Sequence, residues 1–278
     1  MIKVNGIVIE QNHFPDGTLL MKLLPDDMLN DRGNVKIEWI YENDSELFTL
    51  ICIKRHMDRH FSHGEAVLVM PYLPHARMDR VKADEDVFTL KYFCEVINSL
   101  NFDSVVVVDA HSNVGPALLN NCENFPVKEE LNYAIQNIQR DLDGKDLMLF
   151  FPDEGSMKRY SDWSPLPYSF GVKQRDWETG KITSLRIEGE VDVAGRDVLI
   201  VDDICSYGGT FFRAAQALKD AGARHVYLYV THCEENILKG SIFNDDKVVI
   251  DGIYTTTSMP ALFNNMENKS TTPWISFI

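Results

Sequence analysis

Residues 198–210 read VLIVDDICSYGGT, and the fold follows from how this stretch is parsed. Four aliphatic residues, Val198 to Val201, make a short buried strand, and the acidic pair Asp202-Asp203 ends it. A loop of small residues, Ser206, Tyr207, Gly208, Gly209 and Thr210, then runs into FFRAAQALKDAG. In that tail Phe211/Phe212, Ala215 and Leu218 recur at helical spacing, and Gly222 is a stop signal. The stretch therefore predicts strand, acidic pair, loop, helix. A Gly/Ser loop at a helix N-terminus presents unpaired backbone N–H groups and the positive end of the helix dipole, which suits a phosphate. It is not the Walker pattern, because no Lys-Ser/Thr follows the glycines. Asp202 and Asp203 would repel a phosphate unless they faced hydroxyls or a divalent cation. One ligand with ribose hydroxyls, a phosphate and a bound metal accounts for the whole arrangement.

The same alternation extends in both directions. Upstream, residues 2–9 are β-rich, Asp16-Gly17 is a turn signal, 35–41 alternate as a strand and 45–61 approach helical period. Residues 66–70 (AVLVM) form a buried strand that ends in PYLPHARMDR. A core-facing helix over 84–100 leads to the strand SVVVVD, ending at Ala110-His111-Ser112, and a further helical segment covers 127–142. Residues 147–151 then lead to Pro152-Asp153-Glu154-Gly155, 225–231 to His232-Cys233-Glu234-Glu235, and 248–253 to Tyr254-Thr255-Thr256-Thr257. Short apolar strands alternating with amphipathic helices predict an α/β protein with mainly parallel sheets. The polar clusters follow strand C-termini, where ligands bind in open α/β sheets. A soft boundary near residues 143–144 gives two domains, 1–143 and 144–278.

Composition narrows the function. A hydrophobic content of 45% over 278 residues can bury a sizeable core. A net charge of −15 argues against nucleic-acid binding and against docking on an anionic membrane. Anionic substrates must then be held by local donors and metal. Cys52, Cys94, Cys122, Cys205 and Cys233 are scattered without metal-ligand spacing and read as reduced thiols. With neither a signal peptide nor a membrane-length apolar run, the expectation is a soluble cytoplasmic protein.

Two further clusters could carry chemistry. Arg77-Met78-Asp79-Arg80 follows a Pro-aromatic turn, and arginine planes stack on purines and fork onto phosphates, although alone the segment also reads as a solvated loop. Asp109-Ala110-His111 sets a carboxylate and an imidazole beyond a buried strand; alone, His111 reads as a structural histidine.

Residues 198–210 resemble the phosphoribosyl pyrophosphate (PRPP) motif of type I phosphoribosyltransferases and PRPP synthases, and other segments resemble the synthases in order. Pro71–Arg80 is similar to their Pro-Tyr-x-Pro-Tyr-Ala-Arg-Gln-Asp-Arg, and Asp109-Ala110-His111 to their Asp-Leu-His. Phe14-Pro15-Asp16-Gly17-Thr18 is similar to their Phe-x-Asp-Gly-Glu turn, Pro152–Gly155 to their Pro-Asp-x-Gly, and Lys173-Gln174-Arg175 to their Lys-Arg-Arg. Thr18, Met78 and Gln174 depart from the pattern, and Ser206-Tyr207 stand where the synthases have Asp-Thr.

The resemblance implies two phosphoribosyltransferase-like α/β domains, an ATP site in the first and a ribose 5-phosphate site in the second. It implies a Mg²⁺-dependent ribose-phosphate diphosphokinase that makes PRPP and AMP. Phe14, Asp16, Arg77, Asp79 and His111 would bind ATP. Asp153, Asp202, Asp203 and Ser206, Tyr207, Gly208, Gly209 and Thr210 would bind ribose 5-phosphate. His111 and Asp153 would serve the metal. Lys173 and Arg175, on a loop between Gly171 and Gly180, would be catalytic. Phe14 and Asp16 would serve the adenine site of a neighbouring subunit, so a homo-oligomer is implied. The alternatives are a phosphoribosyltransferase that consumes PRPP and a silent synthase-like regulatory protein; the first leaves Pro71–Arg80, Asp109–His111 and Lys173–Arg175 unexplained.

Overall fold

The computed structural model describes residues 1–23, 33–60, 64–141, 146–175, 182–189, 191–247, 249–266 and 273–278. Contacts divide the chain into two compact units, Met1–Pro126 and Val127–Ile278. The helix Lys128–Asp141, expected within the first domain, therefore belongs to the second unit.

In the first unit the elements run β1 (Ile2–Val4), β2 (Ile7–Val8), β3 (Asn12–His13), β4 (Leu19–Leu20), β5 (Val35–Trp39) and α1 (Glu46–His60). They continue with β6 (Ala66–Met70), α2 (Thr89–Ser99), β7 (Ser104–Val108), α3 (Val114–Leu118) and β8 (Cys122–Phe125). Strands β5 to β8 are parallel neighbours in that order, and β1 and β2 add an antiparallel edge beside β5. Helix α2 forms because Leu90, Phe93, Cys94 and Ile97 fall on one stripe and are buried there. It starts at Thr89 and not at residue 84, because the Asp86 carboxylate accepts the Lys82 and Ala83 N–H groups (2.8 and 3.0 Å) and holds a turn in front of it. β3 and β4 form a separate two-stranded hairpin.

The second unit comprises α4 (Lys128–Asp141), β9 (Leu147–Phe151), α5 (Glu154–Tyr160), β10 (Tyr168–Arg175), β11 (Ile182–Gly189) and β12 (Asp197–Cys205). It ends with α6 (Gly209–Asp220), β13 (His225–Cys233), α7 (Ser241–Asn244), β14 (Gly252–Thr255), α8 (Pro260–Met266) and β15 (Trp274–Phe277). Its sheet order is β11-β10-β9-β12-β13-β14-β15, parallel throughout except for the β10–β11 pair. All five residues of β9, LMLFF, are buried, as a central strand covered on both faces requires. Met148, Phe150, Val198, Ile200, Ala214, Ala215, Leu218 and Leu228 pack into the core beneath α6. Each large side chain so buried contributes about 1.5–3 kcal/mol. Among the described residues no helix is long and apolar enough to cross a membrane.

Two elements differ from the sequence expectation near the site. β12 runs on through the acidic pair to Cys205, because β13 matches it in register as far as Cys205↔Cys233. Residues expected as a loop around Lys173 and Arg175 are strand: Lys173 pairs with Leu185 and Arg175 with Ile182, with a register shift between Gln174 and Arg175.

Candidate active site

The acidic pair stands on the central strand of the second unit. Asp203 is buried and its Oδ2 lies 3.5 Å from Arg159 Nη1 on α5. Asp202 accepts the Asp203 N–H at 3.0 Å. Burial, followed by the charges of Asp203 and Asp153, pushes the Asp202 carboxyl well above the usual carboxylate range. Asp202, Asp203 and Asp153 thus share one electrostatic neighbourhood. Asp153 caps α5: its Oδ1 accepts the N–H groups of Gly155 (3.0 Å) and Ser156 (3.2 Å), completing a capping box with Ser156.

Among the described residues no three His, Cys, Asp or Glu side chains gather into a metal cage. A Mg²⁺ ion needs only one or two protein carboxylates and completes its shell with water and substrate oxygens, and the interacting Asp202 and Asp153 carboxyls fit that need.

The loop after β12 turns at Gly208, whose φ of +75° is the left-handed conformation that glycine adopts at little cost. Gly209 opens α6, and Phe212 N–H closes the first turn on the Gly208 carbonyl at 2.9 Å. Tyr207 is exposed, while Ser206 is half-buried and donates its hydroxyl to Glu234 Oε2 at 2.5 Å. Arg159 and Glu234 are the residues the sequence reading missed. Arg159 gave no signal, whereas Glu234 lay in the polar cluster after β13.

In the first unit, Asp79 is buried and its Oδ1 accepts Arg80 Nε at 2.7 Å. Burial raises its carboxyl, but hydrogen bonds from Arg80 and Ser112 and the charges of Arg80 and His111 outweigh that and hold it below the usual range. The structure thereby brings Asp79 to His111 and Ser112, two segments remote in sequence. Asp109, just before them, is buried with a positive φ of 45°, an uncommon conformation outside glycine, and its N–H donates to the Phe125 carbonyl at 2.9 Å. Arg77 and His111 are exposed.

The segment holding Phe14 and Asp16 is the exposed turn between β3 and β4, closed by Phe14 N–H on the Thr18 carbonyl at 2.8 Å. Thr18 returns its N–H and hydroxyl to Asp16 Oδ1 (3.0 and 2.7 Å), which lowers the Asp16 carboxyl below its usual range. Lys173 and Arg175 have backbones on β10, but their side chains lie outside the described part of the structure.

A mainly parallel sheet whose central strand carries an acidic pair near its end, followed by a glycine turn into a helix, is the arrangement of the phosphoribosyltransferase class of folds. The phosphoribosyl transferase domain family matches residues 127–261. The chain is 31% identical over 237 residues to a ribose-phosphate pyrophosphokinase of Pyrococcus abyssi, covering 82% of this chain and 77% of the relative. To ribose-phosphate pyrophosphokinase 2 of Archaeoglobus fulgidus it is 30% identical over 235 residues, 83% of this chain and 77% of that one. It belongs to the ribose-phosphate pyrophosphokinase family. Its fold is also that of a phosphoribosylpyrophosphate synthetase from Mycobacterium smegmatis, at a TM-score of 0.75 and 16% identity over 98% of this chain and 85% of the other.

Proposed function

We propose that this enzyme moves the diphosphoryl group of ATP to the anomeric hydroxyl of ribose 5-phosphate, giving PRPP and AMP. The observation that supports it most is the convergence of Asp153, Asp202 and Asp203 beside a glycine loop that opens a helix. Phosphoryl transfer asks little covalent work of a protein; it asks for an in-line nucleophile and compensation of developing charge. Asp202 and Asp203 would accept hydrogen bonds from ribose hydroxyls, and their positions are fixed by β12 and Arg159. Backbone N–H groups and side chains from Ser206 to Thr210 would hold the 5-phosphate at the positive end of α6.

Arg77, Asp79 and His111 would bind ATP. Asp153 and His111 would each serve bound Mg²⁺, which would neutralise phosphate charge. Lys173 and Arg175 would meet the transferring group, in keeping with their place in the family-like Lys-x-Arg segment. Phe14 and Asp16, on an exposed turn, would complete the adenine site of a second copy, making the working enzyme a homo-oligomer; its place would be the cytoplasm. A phosphoribosyltransferase reading would leave the Asp79–His111 arrangement without a role. Incubation with ATP, ribose 5-phosphate and Mg²⁺ should give equal AMP and PRPP and none without divalent metal. ADP as the nucleotide product would overturn diphosphoryl transfer.

A further inference from the structure

The phosphate loop does not hold its shape alone. Four contacts reach it from the chain after β13. Glu234 N–H donates to the Cys205 carbonyl at 2.8 Å. The Glu234 carboxylate accepts the Ser206 hydroxyl at 2.5 Å and the Asn236 side-chain amide at 3.2 Å. Gly240 packs so closely that a Cβ there would lie 1.8 Å from the Tyr207 carbonyl oxygen. Ile242 covers Gly208, where an added Cβ would meet its Cδ1 at 2.5 Å. Residues 234–242 thus touch Cys205, Ser206, Tyr207 and Gly208 in turn.

We propose that Glu234 is a positioning residue for ribose 5-phosphate binding, acting through the Ser206 hydroxyl to set the phosphate loop. The inference rests on the ribose 5-phosphate site proposed above. Ser206 stands where the resembled synthases carry an acidic residue in the loop itself. Here a carboxylate is brought to Ser206 by Glu234, just past the end of the neighbouring strand. A hydroxyl whose only proton goes to a carboxylate is fixed in direction and turns its lone pairs away from that carboxylate. The loop thereby enters binding with one conformer of Ser206 already chosen, which lowers the ordering cost of ligand capture. Asn236 in turn fixes the carboxylate.

A double-mutant cycle on the full-length protein tests this. Glu234→Ala and Ser206→Ala should each raise KM for ribose 5-phosphate about tenfold, the size expected for one charge-assisted hydrogen bond. The double variant should be no worse than Ser206→Ala alone, because Glu234 acts only through that hydroxyl. In Glu234→Ala, saturated kcat and KM for ATP should stay within about twofold, and Glu234→Gln, which keeps an acceptor, should restore KM to within about threefold of wild type. Calorimetric titration with ribose 5-phosphate alone reads the same cycle where turnover is slow. If Glu234→Ala does not fold, Glu234→Gln and Ser206→Ala still decide, since a Gln variant as impaired as Ser206→Ala refutes the role. Additive effects, or an Ala variant with wild-type KM, overturn the proposal while wild-type PRPP formation leaves the functional reading standing. Wild-type protein that neither binds ribose 5-phosphate nor makes PRPP overturns both.

Discussion

Gly240→Ala places a methyl group against the loop proposed to hold the 5-phosphate, from outside the proposed ligand site. The backbone of Gly240 has an ordinary φ of −88°, so alanine meets no conformational penalty there. The trouble is steric. The new Cβ would lie 1.8 Å from the Tyr207 carbonyl oxygen, 2.8 Å from its carbonyl carbon and 3.3 Å from its Cα. Real contacts of this kind sit beyond 3.0 Å. The neighbour is backbone rather than a side-chain tip, so Tyr207 and the 234–242 segment must separate by about an ångström, and core overpacking of this sort costs about 1–3 kcal/mol.

A displacement of about 1 Å in a positioning element can cost on the order of a hundredfold in rate, or about 2.7 kcal/mol of transition-state stabilisation. The expected result is a fall of about that size in kcat/KM for ribose 5-phosphate, with KM for ATP within about twofold of wild type. Steady-state assays varying each substrate in turn separate the two, and thermal unfolding reports the packing cost. Lys239→Ala, an exposed neighbour, is the control and should change stability by less than about 0.5 kcal/mol. Wild-type kcat/KM in Gly240→Ala, or an equal loss in Lys239→Ala, would refute the argument that this glycine shapes the loop.

Three further outcomes are expected. For Asp202, burial with Asp203 and Asp153 lifts the native carboxyl above its ordinary value of 3.8, so the unfolded chain releases that proton first as pH rises and ionisation costs the folded state stability through the raised pKa. Asp202→Asn should therefore lose ribose 5-phosphate use yet melt at or above wild type at about pH 8, with the advantage shrinking as pH falls towards the unfolded value; an advantage that grows on acidification contradicts the shift. Phe14→Ala should raise KM for ATP at least about fivefold without lowering Tm, and light scattering should find the wild type at least dimeric; a fully active monomer removes the shared adenine site. Lys173→Ala should keep its Tm and ATP binding while kcat drops at least about a hundredfold, as expected for a cation that meets the transferring group chiefly in the transition state; a loss under about tenfold removes Lys173 from that role.

The strands that organise both units were legible because strands of parallel sheets spell continuous apolar runs, as AVLVM, SVVVV and LMLFF do, the last of them buried at every position. The β10–β11 hairpin was not. YSFGVKQR and ITSLRIEG interleave polar residues and glycine, and β11 is an edge strand with no outer neighbour to demand an apolar face. Such a segment reads as loop until a partner strand supplies the hydrogen bonds. The end of β12 failed for a related reason: an acidic pair ends an isolated run, yet here β13 carries Asp202 on as strand by pairing it with Val230.

The site divides in the same way. What is local in sequence was readable: the acidic pair, the glycine turn and the start of α6 lie within one short stretch and dictate their own donors and acceptors. What is non-local was not. Arg159 reaches Asp203 across 44 residues, and Glu234 reaches Ser206 across 28. No helical or strand period records such pairs, because they exist only once β9, β12 and β13 are laid side by side. Charge and donor type at the proposed ribose 5-phosphate site are thus written in residues 202–210, while their geometry is imposed by α5 on one side and residues 234–242 on the other. A substitution in either flank can therefore alter substrate use without touching substrate, and sequence identity confined to the motif is a poor guide to how well it binds.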